Sequence, residues 1–253
     1  MPRALPVLVG CAVLAVGCGG ALTRPTDAGR SARLSRTRFM AFGDSLTAGE
    51  VTVPIGAIQG SFEDPNPGSQ ALISKQIVVP GASYPTQLHA MLDARYPSQA
   101  SAISVTNAGV GGENTFRAVL RFEDELAANA PDAVIIMHGI NNLVADRGDV
   151  LTILIRSMVQ SAKDRGVTVF VGSMVPTLPD RLRSQSVTLV EDYNARLKQM
   201  SVEEGVTFVD LYNALKPEAA SVIGIDGLHP TEAGYKRIAE QFFAAISAAL
   251  EEK

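Results

Sequence analysis

Cysteine is nearly absent: of 253 residues only Cys11 and Cys18 carry a thiol, and both lie close to the N-terminus. Beyond residue 18 this excludes a disulfide framework and a thiol nucleophile. Histidine is scarce too, so the candidates for an imidazole base are His89, His138 and His229. No phosphate loop, dinucleotide fingerprint or zinc-ligand spacing occurs, and no cofactor or metal is expected. There is no internal repeat and no low-complexity stretch. Hydrophobic residues make up 46% of the chain and charged residues 19%, the balance of a single globular domain with a sizeable core rather than of a disordered chain.

The first 38 residues differ in kind from the rest. Arg3 precedes an apolar or small-residue run from Ala4 to Gly17, followed by Cys18, Gly19 and Gly20. A membrane span takes about 20 residues, so this run reads as an export signal over residues 1–17. Leu14-Ala15-Val16-Gly17-Cys18 looks like a bacterial lipobox, with Cys18 as the acylated residue. Leu8-Val9-Gly10-Cys11 is a second, shorter match, and simple secretion or an uncleaved anchor are the alternatives to lipidation. Residues 18–38 read as a basic tether. Residues 1–38 hold six Arg against one Asp, so the formal charge of −4 leaves −9 on residues 39–253. An acidic body argues against nucleic acid as a partner, and contact with a membrane is expected through the lipid alone.

Runs rich in Val, Ile and Phe predict five buried strands at residues 39–42, 103–106, 133–137, 167–171 and 206–209. Helical spacing fills residues 84–95, 115–129, 149–165, 187–204 and 231–251 between and after them. This alternation predicts an α/β fold with a parallel sheet covered on both faces, in which ligands bind at the carboxyl ends of the strands. Residues 50–83, with Pro54, Pro65, Pro67 and Pro80, resist the pattern and read as a long loop forming a wall or lid over the site.

Candidate chemistry gathers at those strand ends. Ser45 follows the first strand, Asn107-Ala108-Gly109 the second and Gly139-Ile140-Asn141 the third, while Asp226 and His229 lie in the loop before the last helix. A hydroxyl becomes a useful nucleophile near neutral pH when an imidazole takes its proton and a carboxylate fixes that imidazole. The spacing of Asp226 and His229 lets one turn fold the carboxylate back onto the ring. Gly109 allows close backbone approach, the Asn141 amide donates without charge, and the Ser45 N–H opens the turn after the first strand. All three suit a developing oxyanion.

Phe42-Gly43-Asp44-Ser45-Leu46-Thr47, Asn107-Ala108-Gly109-Val110-Gly111-Gly112, Gly139-Ile140-Asn141-Asn142 and Asp226-Gly227-Leu228-His229-Pro230 together resemble the four ordered blocks of the SGNH, or GDSL, hydrolase family. The resemblance covers roughly residues 39–250. It implies a flavodoxin-like three-layer α/β/α sandwich, a catalytic triad of Ser45, Asp226 and His229, an oxyanion hole formed by Ser45, Gly109 and Asn141, and hydrolysis of carboxylic esters through an acyl-enzyme. Asn142 stands where the family usually has aspartate.

The same residues admit plainer roles. Ser45 and Asp226 could cap turns, His229 could be a surface histidine, and the whole could be a catalytically silent module that binds acyl or glycan groups. Four blocks converging on one sheet edge favour the enzyme. Within enzymes the alternative substrate is an acetylated polysaccharide, and export argues against intracellular thioesters. His138 abuts the third strand and is expected to be structural or at the substrate rim, and His89 to lie at the surface or in packing. Glu123, Asp124 and Glu125 are expected on a solvated helix face, and Phe242 and Phe243 against the sheet.

Overall fold

The computed structural model describes Met1 and residues 32–54, 74–143 and 148–252. The expected export signal, Cys11, Cys18 and most of the tether lie outside the described residues. The strands are β1 (Arg38–Gly43), β2 (Glu50–Pro54), β3 (Ser74–Val78), β4 (Ser104–Gly109), β5 (Ala133–Met137), β6 (Thr168–Gly172) and β7 (Thr207–Val209). The helices are α1 (Ser45–Ala48), α2 (Tyr84–Arg95), α3 (Thr115–Asn129), α4 (Gly148–Asp164), α5 (Val187–Glu204), α6 (Leu211–Leu215), α7 (Ala219–Val222) and α8 (Glu232–Leu250).

Five strands form one parallel sheet in the order β4-β1-β5-β6-β7. Counting only these strands, the order is 2-1-3-4-5, the doubly wound arrangement whose direction of winding reverses beside the first strand. Ala133 to Met137 is buried throughout, as is Phe39 to Gly43, because helices cover both faces and neither side of these strands meets water. Phe42 packs edge-on to Phe122 of α3 at 4.9 Å between ring centroids. Tyr84 at the start of α2 meets Phe242 of α8 at 5.2 Å, and α2 and α8 lie together while α3, α4 and α5 pack side by side.

Local chemistry sets the helix ends. Asn114 caps α3 through Phe116 N–H, Ser186 caps α5 through Leu189 N–H, and Thr231 caps α8 through Gly234 N–H; each satisfies an amide that the first turn leaves without a carbonyl. Among the described residues no helix is long and apolar enough to cross a membrane.

The stretch at residues 50–83 departs from the expected loop. Its described ends form an antiparallel pair, with Glu50 opposite Val78 and Thr52 opposite Gln76, followed by a 3-10 turn over Pro80–Ala82. Val51-Thr52-Val53 and Ile77-Val78-Val79 are β-branched and fit a pleated, half-buried surface. Residues 55–73 lie outside the described residues.

Candidate active site

Ser45 begins the turn that leaves β1. Asp44 caps α1, its Oδ1 accepting from Leu46 N–H at 3.1 Å, and Ser45 is 2% exposed. Asp44 Oδ2 lies 4.0 Å from His138 Nδ1. Burial pushes the Asp44 carboxyl above the usual range, since a low-dielectric setting disfavours the charged form.

Asp226 and His229 share one tight loop. Asp226 Oδ1 accepts from the backbone N–H groups of Leu228 and His229, each at 3.0 Å. Gly227 lies between them at φ +84°, where a side chain would be strained and would also strike Arg181 and Ser184. The loop thus aims the other carboxylate oxygen at the ring: His229 Nδ1 meets Asp226 Oδ2 at 2.6 Å, and His229 Nε2 meets Ser45 Oγ at 2.9 Å. With the Nδ1 proton directed to the carboxylate, Nε2 presents its lone pair to the serine hydroxyl.

The second ligand of the carboxylate comes from the hairpin. Thr52 Oγ1 donates to Asp226 Oδ2 at 2.6 Å, and Gln76 Nε2, across the same hairpin, lies 3.1 Å from His229 Nδ1. Burial alone would raise the Asp226 carboxyl, but donors from His229, Thr52 and the Leu228 backbone outweigh it and hold it at about 2.

The expected oxyanion donors divide. The Ser45 N–H meets no partner among the described residues. Asn141 is exposed in the 3-10 turn Ile140–Asn142, and its Nδ2 donates to Glu113 C=O at 3.2 Å, which leaves one of its two amide protons without a partner among the described residues. The Gly109 N–H does not fit the expectation, because it donates to Asn107 Oδ1 at 3.0 Å. Gly109 is there for space: a Cβ would run into the backbone of Thr47 and Ala48. The turn that follows, closed by Glu113 N–H to Val110 C=O at 3.2 Å, leaves the N–H groups of Gly111 and Gly112 without a partner among the described residues.

Asn142 turns away from this group. Its Oδ1 accepts from Thr115 N–H at 2.8 Å and from Thr115 Oγ1 at 3.2 Å, tying the 3-10 turn to the start of α3. His138 is buried, with Nδ1 3.2 Å from Thr115 Oγ1 and Nε2 3.3 Å from Glu113 Oε2. Glu113 pairs with Arg121 at 2.6 Å, and Arg121 lies over the Phe42 ring at 4.2 Å. Burial raises the Glu113 carboxyl, but Arg121 and His138 prevail and hold it at about 2. His138 is thus part of a support under the Gly111–Asn114 segment. His89 sits apart, 3.2 Å from Ile103 C=O. Glu123 engages Ser161 and Arg165, and Glu125 engages Arg121 and Asn129. Phe242 is buried in the core.

Thr52, Gln76 and Glu113 escape the sequence reading. The β-branched residues on either side of position 52 were the available signal for the hairpin; nothing in the sequence signals Glu113.

A serine hydroxyl, an imidazole and a carboxylate in line at the carboxyl edge of a doubly wound sheet have the geometry of a serine hydrolase site. Residues 41–237 match the GDSL-like Lipase/Acylhydrolase family, and the chain belongs to it. It is a carboxylic ester hydrolase. An acetylxylan esterase from Geobacillus stearothermophilus is 27% identical over 184 residues, covering 66% of this chain and 81% of the relative. Among solved structures, a lipase/acylhydrolase from Enterococcus faecalis is similar with a TM-score of 0.62 at 20% identity, covering 86% of this chain and 98% of that one. LAE5, an alpha/beta hydrolase enzyme from the metagenome of Lake Arreo, Spain, is similar with a TM-score of 0.63 at 21% identity, covering 83% and 95%.

Proposed function

We propose that Ser45 is the nucleophile of this esterase, His229 its base and Asp226 the acid that orients His229. The observation that carries this reading is the position of the His229 ring, 2.9 Å from Ser45 Oγ on one side and 2.6 Å from Asp226 Oδ2 on the other. His229 takes the Ser45 proton as Oγ attacks the ester carbonyl, and Asp226 stabilises the imidazolium that results. The oxyanion is held by the Ser45 N–H, the Asn141 amide and, in place of Gly109, the free N–H groups of Gly111 and Gly112. His229 then protonates the leaving alcohol, and water attacks the acyl-enzyme by the same route in reverse. A fluorophosphonate probe followed by peptide mapping tests this: the adduct is expected on Ser45, and an adduct on any other residue would remove the assignment.

Acetyl groups on carbohydrate are the second reading, supported by the acetylxylan esterase relative. Comparing acetyl, butyryl and longer aryl esters with acetylated xylan tests it. Release of acetate from xylan together with a preference for the shortest acyl chain is expected, and a preference for long chains would favour lipid esters.

The enzyme is proposed to work in the cell envelope, with residues 1–17 as leader, Cys18 as the lipidated residue, residues 18–38 as tether and residues 39–253 as catalytic domain. Cys18→Ser is expected to abolish detergent-sensitive membrane partitioning or to accumulate the precursor. If only Cys11→Ser does so, the anchor is Cys11.

A further inference from the structure

Glu50 brings to the reacting edge a second carboxylate, one with no place in the triad. It opens β2 and is firmly held. Its carbonyl accepts from the buried Tyr235 hydroxyl at 2.5 Å, and the preceding Gly49 carbonyl accepts from Val79 N–H at 3.0 Å. Glu50 Oε2 lies 3.8 Å from His229 Nε2, the nitrogen that faces Ser45. The other oxygen, Oε1, occupies the space that a Cβ on Gly111 would need. The carboxylate therefore spans from the reacting nitrogen of His229 to the turn whose Gly111 and Gly112 N–H groups have no partner among the described residues.

This side chain is only 16% exposed, yet among the described residues neither oxygen accepts a hydrogen bond. A carboxylate so covered, and without a donor among the described residues, is unfavourable. It also stands close to where negative charge gathers on the ester oxygen, which it opposes. Both penalties are relieved when the substrate brings a donor of its own. Nε2 is the atom that returns a proton to the leaving oxygen, so the group beside it in the complex is the alcohol half of the ester.

The geometry points to Glu50 as the residue that reads that half: we propose that its carboxylate accepts a hydrogen bond from a hydroxyl on the carbon next to the ester-bearing carbon, selecting esters of polyols and sugars over esters of simple alcohols. This rests on the assignment of Ser45 and His229 above. A hydroxyl suits the position better than an ammonium group, because a substrate cation there would face the imidazolium that forms on His229 during attack, a repulsion between like charges. A hydroxyl supplies the donor without the charge.

The test compares kcat/KM for 2-hydroxyethyl acetate, 2-methoxyethyl acetate and acetylcholine in the wild type, Glu50→Gln and Glu50→Ala. The first two esters are close in length and differ in the donor. The wild type is expected to prefer the hydroxyl ester by about tenfold or more, the scale of a hydrogen bond to a charged group. That ratio is expected to shrink in Glu50→Gln, which keeps a weaker acceptor, and to collapse in Glu50→Ala. Equal thermal midpoints establish that the variants are folded. An absent preference in the wild type, or a preference that survives both substitutions, overturns the proposal. So does a preference for acetylcholine that disappears in the variants, which would make Glu50 a cation site. Fluorophosphonate labelling of the same preparations separates the two levels: Ser45 labelled with no hydroxyl preference removes only the role of Glu50, whereas Ser45 unlabelled removes the reading beneath it.

Discussion

The Thr52 hydroxyl donates to Asp226 Oδ2 at 2.6 Å, the same oxygen that meets His229 Nδ1. A hairpin residue 174 positions away in sequence therefore helps to fix the carboxylate that orients the imidazole. Thr52→Val keeps the shape and the β-branched preference for a strand while deleting this donor. It is expected to lower kcat by about tenfold, as for loss of a hydrogen bond to a charged group. Steady-state kinetics on 4-nitrophenyl acetate checks this, and an unchanged kcat would mean that the loop at Gly227 alone sets the carboxylate.

Asn142 holds the start of α3 through Thr115 and does not belong to the donor group around Ser45. An aspartate accepts the same two bonds and adds negative charge at a helix N-terminus, worth roughly 0.3–1 kcal/mol. Asn142→Asp is therefore expected to hold or raise stability and to change kcat by less than about tenfold, or ~1.4 kcal/mol. Asn142→Ala is expected to cost about 1–2 kcal/mol in urea unfolding. A large loss of kcat in the aspartate variant, with stability intact, would bring Asn142 into the chemistry.

Asp226 makes stability depend on acid. Its carboxyl is held at about 2 in the folded protein, below the ordinary value of about 3.9. A depressed carboxyl contributes stability that is fully present above about pH 4 and is lost as pH falls toward about 2. The stability gap between wild type and Asp226→Asn should therefore narrow as pH falls below about 4, as followed by thermal unfolding. A gap that widens on acidification would contradict the direction of the shift. The same variant is expected to lose about 10⁴-fold in kcat, because the imidazole is no longer held in the working tautomer.

Much of this architecture was legible in the sequence because buried parallel strands are uniformly apolar and helices announce their caps. Residues 84–95, 115–129 and 187–204 are helical over the very spans that the periodicity gives, and the five strands overlap their apolar runs, β4 alone running three residues further, to Gly109. The hairpin was legible only in its β-branched residues, Val51-Thr52-Val53 and Ile77-Val78-Val79. β2 and β3 are separated by 19 residues and mostly half-buried, so neither makes an apolar run longer than three residues, and the prolines nearby suggest a loop. Gly109 failed for a different reason: its N–H is taken by a side chain two residues earlier, a local geometry that residue type does not encode. Ser45, Asp226 and His229 stood out because a hydroxyl, a carboxylate and an imidazole each followed a strand or preceded a helix, and the sheet edge brings them within hydrogen-bond reach.

The most direct test of the Ser45-centred mechanism is the kcat of Ser45→Ala on 4-nitrophenyl acetate, measured on protein with the wild-type thermal midpoint. Removing the attacking oxygen from a buried position changes little volume, so the variant is expected to fold and to lose about 10⁴-fold or more in kcat. A folded Ser45→Ala protein that turns over within about tenfold of wild type, a difference of only ~1.4 kcal/mol in barrier, would contradict Ser45 as the nucleophile.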